Sequence, residues 1–293
     1  MLEISFSIMK FEKSIIQLIK QRRSVRNYSS DGIKPDMEVK IKQILAHHTT
    51  GPMRNRVTFH LVNRKLAKDQ QGVKLGTYGF IKGAQHFVAG EVGKGPYAEE
   101  DYGYLLEKII LHFVELELGT CWLGGTFKRS DFANIIMTSR GAVIPAITPV
   151  GHAAPSMSNR EQMIRKGAKS DQRKPWKELF FDGDFSKPLT SEAAEESSRP
   201  LEMIRLAPSA SNKQPWRVVR KENVFHFFLS KTPGYGSVFK GIDLQRIDMG
   251  IAMAHFDLSC REIGLDGGWN VADHGIRLPH GLHYIISWVH KPE

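Results

Sequence analysis

A chain of 293 residues with 41% hydrophobic content is long enough for one large buried core or two of ordinary size. Its 41 Lys+Arg against 31 Asp+Glu leave a formal net charge of +10, which favours anionic partners without choosing among phosphates, nucleotides, nucleic acid and acidic membranes. With only Cys121 and Cys260 there is no disulfide framework and no thiolate cluster for zinc, and no apolar run nears the roughly 20 residues of a membrane helix.

The periodicity predicts a first amphipathic helix over 11–23, with Ile15, Ile16, Leu18 and Ile19 on one side, running into the basic cluster Arg22, Arg23 and Arg26. Guanidinium forks match phosphate oxygens, and Ser24 adds a hydroxyl donor; the alternative is a solvated basic helix end. A second helix follows over 36–46, then strands over 57–62 and 86–90 separated by a glycine-rich segment. Tyr102, Leu105, Leu106, Ile109, Ile110 and Phe113 fit a long helix closing at Gly119. A strand over 120–125 is expected to open into the pair Gly124-Gly125, where backbone can approach a ligand closely. A strand over 143–150 precedes a basic connection over 153–170, expected to be solvated surface, and a polar linker reaches Ser198.

A helix over 201–206 stops at Pro208, and strands are expected over 216–219 and 224–229. A turn through Gly234 and Gly236, a buried helix over 247–263 and a terminal strand over 283–289 complete the chain. Tyr78, Phe80 and the loop around Tyr97 are either core or the open side of a pocket. His274, His280 and His283 lack the Cys or carboxylate pattern of a metal site, so surface histidines are expected. With no basic start and apolar leader, the expected compartment is the cytoplasm; Met1 or Met9 is the start, and Met1 to Ile8 would then be an extension.

Between helix and strand, Ala207-Pro208-Ser209-Ala210-Ser211-Asn212-Lys213-Gln214-Pro215-Trp216 crowds short hydrogen-bonding side chains between two prolines. This stretch resembles the A-P-S-x-x-N-x-Q-P-W signature of the nitroreductase family, and Arg22-Arg23-Ser24-Val25-Arg26 resembles that family's R-R-S-x-R motif. In the family the two motifs lie close together; here Ser24 and Ser209 are 185 residues apart. The separation goes with a weak internal duplication. Asp101-Tyr102-Gly103 and Asp248-Met249-Gly250 open the two long helices, and Glu117-Leu118-Gly119 and Glu262-Ile263-Gly264 close them. Thr50-Gly51-Pro52-Met53-Arg54-Asn55 stands where Ala207 to Asn212 stands later, and Arg173-Lys174-Pro175 where Arg22-Arg23-Ser24 stands earlier.

The resemblance implies an α+β nitroreductase-like fold, mostly antiparallel sheet flanked by helices, in two diverged halves related by a pseudo-two-fold: 1–170 with the intact basic motif, 171–293 with the intact loop. Family members are homodimers with FMN at the interface, so the chain is expected to be a fused pseudo-dimer, monomeric, with one good FMN site. Arg22, Arg23, Ser24 and Arg26 would hold the phosphate and ribityl end, helped by Arg173 or Lys174. Pro208, Ser209, Ala210, Asn212 and Gln214 would contact the ring and ribityl chain, and Gly124 and Gly125 would lie at the N5 edge. The implied reaction passes hydride from NADH or NADPH through FMN to a small electron-poor acceptor such as a nitroaromatic or quinone, with no catalytic side chain, no metal, no nucleic acid and no membrane involved. The alternative is a flavin carrier or sensor without turnover.

Overall fold

The computed structural model describes residues 10–73, 75–233 and 241–291; the expected turn at Gly234 and Gly236 and the segment before Met9 lie outside them. Two five-stranded sheets carry the fold. The first comprises β1 (Val57–Asn63), β2 (His86–Gly93), β3 (Gly119–Thr120), β4 (Ala142–Val143) and β5 (Ile147–Gly151), all antiparallel, in the order β1-β2-β5-β3 with β4 beside β2. The second comprises β6 (Phe180–Asp182), β7 (Trp216–Lys221), β8 (Val224–Ser230), β9 (Gly267–Asn270) and β10 (Leu282–His290), in the order β6-β7-β8-β10-β9. Only β6 and β7 run parallel. The α+β class and mostly antiparallel pairing agree with the sequence, and each sheet is drawn from one side of residue 171.

Eight α-helices are described: α1 (Ile15–Gln21), α2 (Pro35–His47), α3 (Arg64–Gln71), α4 (Ala98–Glu115), α5 (Arg129–Ile136), α6 (Asn159–Gly167), α7 (Ser198–Leu206) and α8 (Leu244–Glu262). The long helices α4 and α8 pack on each other in the centre of a core that both sheets share. Both are buried on nearly every side, so neither shows a polar face. They meet at two glycines. A Cβ on Gly103 would lie 2.2 Å from the carbonyl oxygen of Ile247, and one on Gly250 would lie 2.0 Å from that of Glu100. Each glycine thus touches the carbonyl three residues before the other.

A second construction also occurs on both helices. The Asp101 carboxylate accepts from the backbone N–H of Met53 at 2.9 Å and of Asn55 at 2.8 Å, and the Asp248 carboxylate accepts from that of Ala210 at 2.9 Å. Met53 and Ala210 hold the same position in the two matched loops. Each long helix therefore fastens one loop near its N-terminal end.

Several elements differ from expectation. The connection over 153–170 contains helix α6, capped by the Ser158 hydroxyl, which accepts from Glu161 N–H at 3.2 Å. Its apolar side is too narrow to show as a periodic stripe. Helices α3 and α5, eight residues each, and strands β6 and β9 were also hidden by their shortness. The strand expected over 143–150 is two, β4 and β5, broken at Pro145. Both cysteines are free and buried.

Candidate active-site cleft between the basic segment and the A-P-S loop

Helix α1 starts at Ser14, whose hydroxyl accepts from Gln17 N–H, and buries Ile15, Leu18 and Ile19. At Arg22 the backbone turns to ψ 125°, so the helix ends before the basic motif, not after it. Residues 22–26 run extended, with Ser24 bridged to Thr120 and Val25 N–H donating to Thr120 O at 2.7 Å. Extended backbone sends alternate side chains to opposite faces. Arg22, Ser24 and Arg26 therefore share the wall of one cleft, whereas Arg23 is exposed on the other side and Val25 is buried under Gly119.

The opposite wall is the loop after α7. Pro208, Ser209, Ala210, Ser211 and Asn212 all face the same cleft. Ser211, Asn212 and Gln214 adopt left-handed backbone, with φ of 49°, 53° and 48°. Such residues cost on the order of 1–3 kcal/mol each and persist where surrounding bonds over-determine them. Those bonds are present. Ser209 Oγ accepts from Gln214 N–H at 2.9 Å, and Asn212 Nδ2 donates to the carbonyls of Lys169 and Gln172 at 2.7 and 2.9 Å. Gln214 is buried and accepts from Lys174 N–H at 2.7 Å. The loop is thus stapled to the segment 169–174 that joins the two parts of the chain.

Trp122 and Gly124 form a third side. The strand expected over 120–125 stops at Thr120, and the chain regains register only at Leu123, which exchanges hydrogen bonds with Ile147 at 2.9 and 3.0 Å. Trp122 is thrown out of the ladder between them. Its indole Nε1 donates to Glu107 Oε2 at 2.6 Å. Gly124 lies close to α8: a Cβ there would lie 2.7 Å from the end of the Leu244 side chain. Its carbonyl accepts from the Arg129 guanidinium, which also donates to Pro145 O at 2.9 Å. From α8, Leu244, Ile247, Asp248 and Ile251 face the cleft at the spacing of one helical face. The cleft has a cavity volume of about 170 Å³ and is partly open to solvent.

Three arginines line the cleft, Arg22, Arg26 and Arg173, and four of their guanidinium nitrogens are buried with no hydrogen-bond partner: Arg22 Nε and Nη1, Arg26 Nη1 and Arg173 Nε. Burial and then the nearby Arg22 charge push the Arg173 guanidinium below its usual value. The Arg22 side chain is 7% exposed and its nearest carboxylate is Glu107, at 3.6 Å from Nε, beyond hydrogen-bond reach. Asp248, also in the lining, is 3% exposed, and its carboxyl is raised well above its usual range by burial, against the pull of the Ala210 N–H.

A family model described as "Putative TM nitroreductase" matches residues 14–260. The chain belongs to this nitroreductase family. A crystal structure of a "putative nitroreductase" from Thermotoga maritima shares its fold at 16% identity and a TM-score of 0.61, covering 97% of this chain and 96% of that one. A nitroreductase family protein from Clostridium novyi is 17% identical over 49% of this chain and 87% of its own, with a TM-score of 0.40. One from Desulfovibrio desulfuricans, in complex with FMN, is 18% identical over 52% and 95%, with a TM-score of 0.37. No curated protein matches.

Of the residues expected in a nitroreductase site, Arg22, Ser24, Arg26, Gly124, Arg173, Pro208, Ser209, Ala210 and Asn212 meet in the cleft. Arg23, Gly125, Lys174 and Gln214 are not among its lining residues; the last two are joined by the hydrogen bond that staples the loop. Tyr78 is exposed, Phe80 lies in a groove with Arg160, and Tyr97 starts α4 with its ring beside Arg246, so none of the three lines the cleft. Trp122 and the α8 face were missed as site residues; the spacing Leu244, Ile247, Asp248, Ile251 was available, but a helix apolar on every side gave no reason to single it out. His274 packs its ring against Tyr284 and Phe228. Among the described residues no group of three or more His, Cys, Asp or Glu could hold a metal ion, and no helix is long and apolar enough to cross a membrane.

Proposed function

We propose that the cleft binds one FMN and that the protein is an FMN-dependent oxidoreductase, taking hydride from NADH or NADPH and passing it to a small electron-poor acceptor. The observation that carries this is the arginine cluster. Four guanidinium nitrogens on three arginines have no hydrogen-bond partner, and a phosphate offers the several acceptor oxygens they need. The fit extends along the cleft. Ser24 and the polar loop Ser209 to Asn212 offer hydroxyl, amide and backbone groups beyond the arginines, and Trp122, Leu244, Ile247 and Ile251 make an apolar seat for a flat ring.

The bound flavin would supply the hydride chemistry. The chain's own residues bind and orient: the arginines fix the phosphate, the stapled loop holds one edge, and Trp122 and the α8 face keep water from the ring end. In this account the chain is a fused pseudo-dimer of 1–170 and 171–293. Its support is the reciprocal glycine contact of α4 with α8 and the twice-used Asp clasp. The mirror position would not hold flavin, because Pro175 and Pro52 stand where Ser24 and Ser209 offer their hydroxyls. The test is anaerobic addition of NADH or NADPH to the FMN-loaded protein. Loss of the flavin absorbance, restored by a quinone, is expected; a bound flavin that neither nucleotide bleaches would make the protein a flavin carrier.

A further inference from the structure

Glu107 sits behind the cleft, at the middle of α4, fully buried and outside the lining residues. Its two oxygens are used by different groups. Oε2 accepts from Trp122 Nε1 at 2.6 Å; Oε1 lies 2.9 Å from His255 Nε2 on α8 and 3.6 Å from Arg22 Nε. His255 Nδ1 is 2.8 Å from the carbonyl oxygen of Met203 on α7, which can only accept, so Nδ1 carries a proton. The contact between Nε2 and Oε1 then holds a second proton. Arg22 and Trp122 are the two partners that do line the cleft.

We propose that Glu107 is a positioning residue for the cleft: through one carboxylate it fixes the Trp122 indole and anchors the Arg22 guanidinium, with His255 holding that carboxylate in place. The proposal rests on the FMN reading for its consequence and on the hydrogen bonds for its geometry. A single group on α4 thus sets both the ring wall and the phosphate wall. Glutamine at 107 keeps two of the contacts, its oxygen accepting from Trp122 and its amide hydrogen donating to an unprotonated His255 Nε2, but it removes the charge that faces Arg22. Alanine leaves both buried donors without an acceptor.

The experiment is FMN titration, by flavin fluorescence, of wild type, E107Q, E107A, W122F and E107A/W122F, with unfolding followed in parallel. E107A is expected to weaken FMN binding about tenfold, and E107Q, which keeps the Trp122 bond, to weaken it less. The E107A effect should shrink when Trp122 is already Phe, the non-additivity of groups acting through one another. Folded E107A with wild-type affinity, or an equal loss in both backgrounds, overturns the proposal. If E107A does not fold, the wild-type protein decides: the indole N–H resonance that W122F removes must be protected from solvent exchange, and a rapidly exchanging one contradicts the role. If wild type takes up no FMN, the cofactor reading fails by itself, and the same resonance still judges Glu107.

Discussion

Arg22, Ser24 and Arg26 reach one ligand because the chain leaves α1 at Arg22 and continues extended, so every second side chain points the same way. Removing a buried guanidinium donor to a phosphate costs about 1.5–3 kcal/mol. R173A is therefore expected to weaken FMN binding roughly 10- to 100-fold, and R23A to leave it unchanged; equal losses in the two variants would contradict the extended geometry. Glu100 gives a pH prediction. It is fully buried, and burial lifts its carboxyl to about 7 against the opposing Arg246, whose Nε donates to Oε1 at 2.6 Å. The folded state thus holds the proton more tightly than the unfolded chain. The group's stabilisation is present below its ordinary value of 4.5 and lost as pH rises through about 7. Denaturant midpoints across pH 4–9 should fall on the alkaline side in wild type relative to E100Q, and parallel curves would contradict the shift. At this scale nine of the thirteen residues expected from the motifs line one cleft. Arg23 lies outside its lining because a run of basic residues does not reveal its alternation until the helix end is fixed. Gln214 lies outside it because an amide suited to a ligand is equally suited to Lys174 N–H.

Helices α4 and α8 carry the architecture, and their crossing allows no side chain at two points. Gly→Ala inside a helix ordinarily favours the helix by up to about 1 kcal/mol. At Gly250 the new methyl would meet the Glu100 carbonyl at 2.0 Å, so overpacking wins. G250A is expected to destabilise the protein by roughly 3 kcal/mol in urea unfolding. An unchanged or raised midpoint would contradict the crossing. Both helices were readable because long apolar periods are unambiguous, as were α2, β1, β2, β8 and β10. The short helices α3, α5 and α6 were not, since two turns of mixed polarity carry little periodic signal and take their stability from neighbours.

Across the whole molecule, one cleft is assembled from both parts of the chain: the basic segment and Trp122 come from before residue 171, the A-P-S loop and the α8 face from after it. The two motifs that the sequence separates by 185 residues thus line the same cleft. The loop at 50–55 differs from its counterpart in lacking the serine and glutamine of the loop at 209–214. What the sequence left hidden was the support behind the cleft, where Glu107 and His255 meet across 148 positions with no local pattern to mark either. The central claim is one FMN held between the two parts. It is tested most directly by saturating the protein with FMN, removing the excess, and releasing and quantifying the bound flavin against protein. The account predicts one FMN per chain; a ratio near two, or a protein that retains none, would contradict it.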